Sequence, residues 1–288
     1  MKKVIVVVGP TASGKTKFSL WLAKKINGTL LNGDSRQIFK DMILGTDQPT
    51  DFDVPHFLFG FKSPRSFFSV ENWLAKVKKI IPKVKNPIVV GGTWFWIKSL
   101  IFGAKFPQVK PNLKLRKELE KLSLSELQLQ LKNLDPQRFE SLKENIHNKR
   151  RLIRAIEISL QLGKVIPVSF QPQFKFLVLG LKKPLNILEK EIEKRIKTSL
   201  KLGLLAEIKK LHLKYSLSYQ KIMSFGNRYH WFTLYLLGKI SLEEAILKTK
   251  KETLKYAKTQ LREFNKLNPY WLCSYLQGLK LAQKFLKD

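Results

Sequence analysis

"VIVVVGPTASGKT", residues 4–16, joins an apolar run to a glycine-rich loop. Five consecutive apolar residues, four of them valine, predict a short strand. Apolar side chains then recur at helical spacing over residues 15–26. A strand, a loop of the form G-x-x-x-x-G-K-[ST] and a helix, in that order, predict a phosphate-binding loop.

This loop offers an anion several kinds of group. Backbone N–H groups and the N-terminus of the following helix bind phosphate oxygens, Lys15 adds a positive charge, and the Thr16 hydroxyl is placed to ligate Mg²⁺. Many ATP-binding proteins share the loop, so the loop alone leaves the phosphate unidentified. The expected phosphate-binding residues are Gly9, Pro10, Thr11, Ala12, Ser13, Gly14, Lys15 and Thr16, and Thr16 is the expected metal ligand.

Further short apolar runs end in polar or glycine-rich turns, at residues 29–31, 87–90 and 174–181. Short strands that alternate with helices predict an α/β fold, with a P-loop parallel sheet core flanked by helices. Ligands of such a sheet bind at the carboxyl ends of its strands.

The sequence pattern changes after Gly103. Residues 111–163 are nearly all helical in pattern, which predicts an all-helical insertion. The expected organisation is a P-loop catalytic core at 1–110 and 171–288, which includes C-terminal helices, and a helical insertion domain at 111–170. Within the core, Lys-rich amphipathic helices are expected at 185–211 and 241–267.

The chain carries a large positive charge. Lys and Arg number 54 against 22 Asp and Glu, which gives a formal net charge of +32. Such an excess attracts a polyanion, and RNA, DNA or an acidic membrane would each fit. Most of the basic residues are lysine, so a compositional bias is the alternative explanation. We expect a nucleic-acid partner.

Cysteine content and hydropathy bear on the compartment. The single cysteine, Cys273, cannot form an intramolecular disulfide, and no apolar run approaches the roughly 20 residues that span a bilayer. The N-terminus also lacks the pattern of a signal peptide. We therefore expect a cytoplasmic protein without a membrane partner.

The residues at the ends of the predicted strands restrict which reactions this protein can catalyse. A hydrolytic ATPase usually has a second strand that ends in a Mg²⁺-binding Asp, but here the later strands run into Gly91-Gly92-Thr93 and Gly180-Leu181. Asp34, in LLNGDSRQIF, is the acid at a strand end. Its carboxylate could orient metal-bound water, take a proton from a nucleophile, or serve as a turn or helix cap.

Seven stretches can be compared with a known family: GPTASGKT (9–16), GDSRQIFKDMILGTDQP (33–49), VPHFL (54–58), IVVGGTWFWIKSLIFG (88–103), RLIRAIE (151–157), FGNR (225–228) and YAKTQ (256–260). In this order and spacing they resemble the tRNA dimethylallyltransferases, also called tRNA isopentenyltransferases. The first stretch is common to P-loop proteins, whereas the Asp-Ser-x-Gln, Gly-Gly-Thr and Gly-x-Arg series is specific. The resemblance covers nearly the whole chain.

The resemblance implies a reaction. A dimethylallyl group would pass from dimethylallyl diphosphate to N6 of an adenine next to the tRNA anticodon, position 37, with release of diphosphate. Asp34 would accept the proton of the amino group, and Thr93 would touch the substrate near the reacting centre. Lys15, Arg228 and Mg²⁺ would stabilise the departing diphosphate.

The resemblance also implies residues that bind the anticodon stem-loop of tRNA. Asp34, Ser35, Arg36 and Gln37 would meet the target base, although these are also ordinary turn residues. Arg150, Arg151 and Arg154 would contact RNA phosphates, because their helical spacing predicts that they face outward together; a solvated basic face is the alternative. We expect a monomer.

Some positions depart from the family's usual residues, namely Phe39, Trp94, Asn227 and Thr259. The aromatic run 94–96 could stack on a base, but helix-packed core is the preferred interpretation. The main rival function is a P-loop small-molecule or nucleoside kinase, in which Asp34 would receive a substrate hydroxyl and the three arginines would cover ATP. An RNA-binding protein with a degenerate site is a third class.

Overall fold

The structure is a computed structural model that describes residues 1–165 and 168–288. It divides into two compact units, one comprising Met1–Phe102 and Pro172–Asp288, the other Gly103–Gln171. The first unit contains a six-stranded sheet in the order β3-β2-β4-β1-β7-β8, in which every neighbouring pair is parallel. Its strands are β1 Lys3–Val8, β2 Thr29–Asn32, β3 His56–Phe57, β4 Pro87–Val90, β7 Lys175–Gly180 and β8 Tyr270–Trp271.

Strand β1, predicted from its unbroken apolar run, lies inside this sheet between β4 and β7. Val6 lies opposite Val89 of β4 on one side and Val178 of β7 on the other. Residues Val4 to Val8 are all completely buried. The α/β fold with a parallel P-loop sheet, predicted from the short apolar runs, is confirmed.

Helices cover both faces of the sheet. On one face, Phe18 and Leu22 of the first helix pack on Ile5, Val7 and neighbouring apolar residues. Trp73 is completely buried, and its indole N–H donates to the backbone oxygen of Asn32 at the end of β2 at 2.7 Å. The helices of this unit are α1 Lys15–Ile26, α2 Val70–Ile80, α3 Trp94–Ile101, α8 Leu185–Lys201, α9 Leu204–Tyr215, α10 Tyr219–Met223, α11 Asn227–Leu236, α12 Leu242–Asn265 and α13 Tyr275–Lys287.

The prediction of a single helix at 185–211 is wrong, because the structure has two helices there. Gly203 adopts a left-handed conformation, with φ of +100°, between α8 and α9. Such a residue ends a helix, and glycine adopts it without steric cost. The break allows α9 to take its own direction.

The second unit is an insertion between α3 and β7. Its helices bury a separate apolar cluster around Leu127, Leu131, Leu152 and Ile156. They are α4 Leu113–Leu119, α5 Leu124–Leu134, α6 Pro136–Ser141 and α7 Lys149–Leu162. The unit differs from the expected range 111–170 in two respects, since it begins at Gly103 and includes an antiparallel pair of two-residue strands, β5 Ala104–Lys105 and β6 Ser169–Phe170. Residues 166–167 of that range lie outside the described residues.

Within residues 1–165 and 168–288, no helix is both long and apolar enough to cross a membrane.

Candidate active site

A pocket of about 1000 Å³ opens at the carboxyl ends of β1, β2 and β4. Its walls come from the phosphate loop, from the turns that follow β2 and β4, and from helices α8, α11 and α12. All of these belong to the first unit. This is the position at which a parallel α/β sheet binds its ligands.

The phosphate loop has the backbone of an anion cradle. Gly9 has a φ of +149°, and a side chain there would place its Cβ 2.2 Å from the backbone oxygen of Leu181. Ala12 and Gly14 both have positive φ, which turns successive N–H groups toward one centre. Within the described part of the chain, the buried Ser13 hydroxyl has no hydrogen-bond partner.

Lys15 lies in the pocket, where its ammonium donates to the backbone oxygen of Pro10 at 2.7 Å. Burial lowers the pKa of Lys15 from 10.5 to about 8, although the nearby Asp34 acts in the opposite direction. A diphosphate would restore the preference for the charged ammonium. Lys15 is therefore placed as an anion-binding group whose charge depends on pH near 8.

Close approach of two turns brings the chemistry-bearing side chains together. A Cβ on Gly91 would lie 2.2 Å from the backbone of Gly33, and the Gly33 N–H donates to Val90 at 2.7 Å. The turns after β2 and β4 are therefore in direct backbone contact. This contact places Asp34 of one turn beside Thr93 of the other.

Asp34 is held by its own turn. Its N–H donates to Oδ1 of Asn32 at 2.8 Å, and its Oδ1 accepts from the Arg36 N–H at 2.9 Å. Its Oδ2 points toward Gly92, 3.2 Å from where a Cβ on that residue would lie. The carboxylate lines the same pocket as the phosphate loop, so it can meet a substrate group bound beside a phosphate.

Thr93 links the two turns. Its hydroxyl accepts from the Ser35 N–H at 2.9 Å and donates to the Ser35 hydroxyl at 3.2 Å. Its side chain does not cap α3, although it stands at the N-cap position. Both Thr93 and Ser35 line the pocket and can contact a substrate there.

Gln260 is a site residue that the sequence did not assign. Its buried side chain accepts from the Thr11 N–H of the phosphate loop and donates to the Gly92 backbone oxygen, both at 2.8 Å. Tyr256, one turn earlier on α12, donates to the same oxygen at 3.3 Å. Their one-turn spacing in YAKTQ was the available signal. Gln260 fixes the loop relative to the Gly-Gly-Thr turn.

Arg228 is buried in the pocket wall, with 7% of its surface exposed. It forms a two-pronged ion pair with Asp47, at 2.7 and 3.0 Å, and also donates to the backbone oxygen of Leu44 at 2.7 Å. Arg195 of α8, which the sequence also left unassigned, contacts Asp47 at 3.3 Å. Burial opposes ionisation of Asp47, but the two arginines outweigh it and hold its pKa below the ordinary value.

The loop that carries Asp47 is tied to α9. The buried Glu207 carboxylate accepts from the N–H groups of Ile43 and Leu44, at 2.9 and 2.8 Å. It also accepts from the Gly45 N–H at 2.9 Å and from the Tyr229 hydroxyl at 2.7 Å. Burial next to this carboxylate raises the pKa of Tyr229, which keeps the hydroxyl protonated. The loop is therefore a fixed part of the pocket.

Gln37 contributes to the same loop. Its amide N–H groups donate to the backbone oxygens of Thr46 and Asp47, both at 3.0 Å. The amide group of Gln37 is thus hydrogen-bonded to the protein's own backbone. The family resemblance instead implies that Gln37 contacts the target base. Arg36, the next residue in the turn, is exposed at the pocket mouth.

The three predicted RNA-binding arginines lie on α7, in the second unit. Arg150 and Arg151 are exposed. Arg154 differs from the expected outward orientation, since it pairs with Glu157 at 2.5 Å and donates to the Val109 backbone oxygen at 2.9 Å. The buried Glu157 draws it inward, because an unpaired buried carboxylate is costly.

Aromatic residues near the site mostly form core. Trp96 is buried and stacks on Trp73, with ring centroids 5.1 Å apart, as expected for helix-packed core. Trp94 packs edge-on against Phe264 at 5.9 Å. Phe39 packs on Phe225 at 5.4 Å, so its ring serves to support the pocket wall.

The oxygen atoms that line the pocket determine whether Mg²⁺ fits there. In the described part of the chain, no three His, Cys, Asp or Glu side chains form a group that could hold a metal. Mg²⁺ commonly keeps several waters and binds through one or two protein oxygens together with substrate phosphates. Thr16 lines the pocket and supplies one such oxygen. The Thr16 hydroxyl therefore fits Mg²⁺ that binds together with a phosphate ligand.

Fold and site together define a P-loop α/β protein in which a phosphate loop and a carboxylate share one pocket. The sequence model of the IPP transferase family matches residues 37–267. The chain therefore belongs to this family, and the resemblance stated from the motifs is confirmed.

Curated relatives and solved structures agree with this assignment. The tRNA dimethylallyltransferase of Acetivibrio thermocellus is 36% identical over 94% of this chain and 92% of its own, and that of Anoxybacillus flavithermus is 37% identical over 93% and 89%. The crystal structure of a tRNA isopentenylpyrophosphate transferase from Bacillus halodurans has a TM-score of 0.72 and 29% identity, over 100% of this chain and 99% of that one. A eukaryotic dimethylallyltransferase acting on tRNA has a TM-score of 0.74 and 26% identity, over 91% and 69%.

Proposed function

We propose that this protein transfers a dimethylallyl group from dimethylallyl diphosphate to N6 of an adenine in tRNA, at position 37 next to the anticodon, and releases diphosphate. The observation that carries the proposal is that Asp34 lines the same pocket as the phosphate loop, in a chain of the IPP transferase family. The reaction needs a base for the nucleophile, which must lose a proton, and an anion site for the diphosphate, which must leave. Asp34 would be the base, and the phosphate loop would be the anion site.

Asp34 acts on the nucleophile. An adenine amino group is a weak nucleophile because its lone pair is delocalised into the ring, so a carboxylate that accepts its proton lowers the barrier. Oδ2 of Asp34 is the oxygen for this role, since Oδ1 accepts from the Arg36 N–H. Thr93 and Ser35, linked at 3.2 Å, would orient the adenine beside it. The base must leave its stack to enter, which is least costly in a single-stranded loop.

The phosphate loop acts on the leaving group. Negative charge grows on the diphosphate as the carbon–oxygen bond breaks, and Lys15 and the loop N–H groups would stabilise that charge. Arg228 and Arg195 stand in the wall of the same pocket. Mg²⁺, when bound with the Thr16 hydroxyl, supplies further positive charge to the phosphate oxygens.

The charge of the chain and two exposed arginines support RNA as the binding partner. The net charge of +32 favours a polyanionic partner, and the exposed Arg150 and Arg151 are candidates for contacts with the anticodon stem-loop. We further propose that the protein acts as a cytoplasmic monomer, without a membrane partner.

A kinase reaction is the second candidate and is disfavoured. Strand β4 is followed by Gly91-Gly92-Thr93, so it does not end in the Asp that holds Mg²⁺ in P-loop phosphoryl transfer. The buried Gln260 holds the Gly92 oxygen at that place.

The experiment is incubation of the purified protein with unmodified tRNA, Mg²⁺ and dimethylallyl diphosphate, followed by mass spectrometry of the tRNA nucleosides. We expect prenylated adenosine, and none when ATP replaces the prenyl donor. Phosphoryl transfer from ATP to a small acceptor, with no prenylated adenosine, would instead establish the kinase reaction.

The two exposed arginines of α7 provide a separate prediction. Replacing Arg150 and Arg151 together by Ala should raise KM for tRNA and leave donor binding unchanged, because phosphate contacts position the RNA only. Two lost contacts should reduce the slope of log K against log salt concentration by about 1.4 to 1.8 units. Salt-dependent tRNA binding measures the slope.

The matched control removes two exposed lysines of the same unit, Lys114 and Lys132. We expect the Lys114→Ala, Lys132→Ala protein to keep the wild-type slope. A loss of equal size in both proteins would contradict a specific role for the arginines, since it would reflect diffuse attraction by net charge.

A further inference from the structure

The pocket that would bind diphosphate already contains an anion of its own. The Asp47 carboxylate stands between Arg228, at 2.7 and 3.0 Å, and Arg195, at 3.3 Å. All three side chains line the pocket that includes the phosphate loop. Two carboxylate oxygens on a guanidinium have the same geometry and charge type as two phosphate oxygens on it.

Three of the N–H donors of Arg228 are engaged, and they include both donors of the edge that faces Asp47. A guanidinium has five N–H donors. Nη1 gives two to Leu44 and Asp47, and Nη2 gives one to Asp47. A diphosphate can therefore gain a two-pronged contact with this side of Arg228 only if Asp47 withdraws from it.

Asp47 also has an energetic reason to be present. Arg228 is only 7% exposed, and a buried cation without a counter-ion destabilises a protein strongly. The same negative charge, however, repels an anion in the same pocket. Asp47 thus stabilises the free site and weakens the binding of an anionic ligand.

The backbone around Asp47 is held in place. Withdrawal of the Asp47 carboxylate from Arg228 therefore requires only the Asp47 side chain to move. Gln37 donates to the Asp47 backbone oxygen at 3.0 Å, and Glu207 accepts from the N–H groups of residues 43–45. The Asp47 side chain is 32% exposed, which leaves room for rotation toward solvent.

We propose that Asp47 sets the affinity of the diphosphate site: its carboxylate occupies Arg228 and Arg195 when the site is free, and diphosphate competes with it for these guanidinium groups. This inference rests on the proposed function, in which diphosphate is the group that the site binds and releases. The returning carboxylate would assist release of the product, because it restores the ion pair as diphosphate leaves.

The test is a calorimetric titration with inorganic diphosphate and Mg²⁺, comparing the wild type with Asp47→Asn, which removes the charge and keeps an oxygen acceptor. We expect the variant to bind diphosphate about 5- to 50-fold more tightly, the range that one unit charge at pocket distances produces. In thermal unfolding, the free variant should have a lower Tm than the wild type, and diphosphate should raise its Tm by more.

The control is Asp41→Asn. Asp41 lies on the same segment and is paired with Lys210, Lys214 and Tyr215, but it does not line the pocket. Its variant should bind diphosphate as the wild type does. An equal gain in both variants would overturn the proposal, because it would show an effect of overall charge.

Two other outcomes separate this inference from the proposed function. If the wild type binds diphosphate and Asp47→Asn binds it equally or more weakly, Asp47 only positions the arginines and the competition is refuted. If the wild type does not bind diphosphate at all, the proposed function fails as well. Asp47→Ser, which also removes the charge, gives the same comparison if Asp47→Asn does not fold.

Discussion

An Asp34→Asn enzyme is expected to lose about 10²- to 10⁴-fold in kcat, the usual contribution of a positioned general base. Asn keeps the size of the side chain and the oxygen that accepts the Arg36 N–H, so the turn after β2 should persist. It cannot take the proton of an amino group. Because Asp34 acts on the nucleophile, affinity for dimethylallyl diphosphate should change little. Single-turnover prenyl transfer and donor titration by calorimetry measure the two quantities.

The Asp41→Asn protein is the control for this variant as well, since it carries the same chemical change at a position that does not line the pocket. Near-normal turnover of Asp34→Asn would disprove the general-base assignment. If donor affinity falls together with turnover and both recover at raised Mg²⁺, Asp34 instead acts by ordering the metal through water.

Lys15→Ala should impair both donor binding and turnover. The ammonium would contact diphosphate in the ground state and in the transition state, so part of its contribution is uniform binding. We expect donor affinity to fall about 10- to 100-fold and kcat about 10²- to 10³-fold, comparable to removing one donor to a developing anion. The same titration and single-turnover assays separate the two effects.

The pH dependence identifies the ammonium as the cause. The pKa of Lys15 lies at about 8 in the free protein, so the side chain is charged below that pH and must take up a proton on binding diphosphate above it. Wild-type donor affinity should therefore decline as pH rises through 8. The Lys15→Ala protein should lack this decline, and an identical decline in both proteins would assign it to another group.

Local sequence patterns were sufficient to predict the strands that lie at the centre of the fold. The unbroken apolar run of β1 and the short apolar runs at β2, β4 and β7 predict buried strands, because each run is itself the feature that becomes buried. The residues that line one pocket could likewise be anticipated, since parallel strands end at one edge of the sheet. The phosphate loop, Asp34 and Thr93 all stand at strand ends.

Long-range partners could not be predicted in this way. Gln260 reaches a loop nearly the whole chain away, and the pairing of Asp47 with Arg228 joins two charges among many. In a chain with 54 basic residues, spacing alone does not select which arginine meets which carboxylate. The inward turn of Arg154 was missed for the same reason, because it depends on Glu157 being buried.

The order of strands in the sheet has a consequence for synthesis of the chain. Strand β1 is made first, yet its partner β7 begins at Lys175, after the entire second unit. At about 5 to 20 residues per second, the roughly 170 intervening residues take about ten to thirty seconds to emerge from the ribosome. Throughout that interval one edge of a strand with five consecutive apolar residues has no partner, and such an edge is prone to aggregation. The nascent chain is thus expected to depend on chaperones until β7 arrives, whereas the second unit, continuous in sequence, can complete its own cluster earlier.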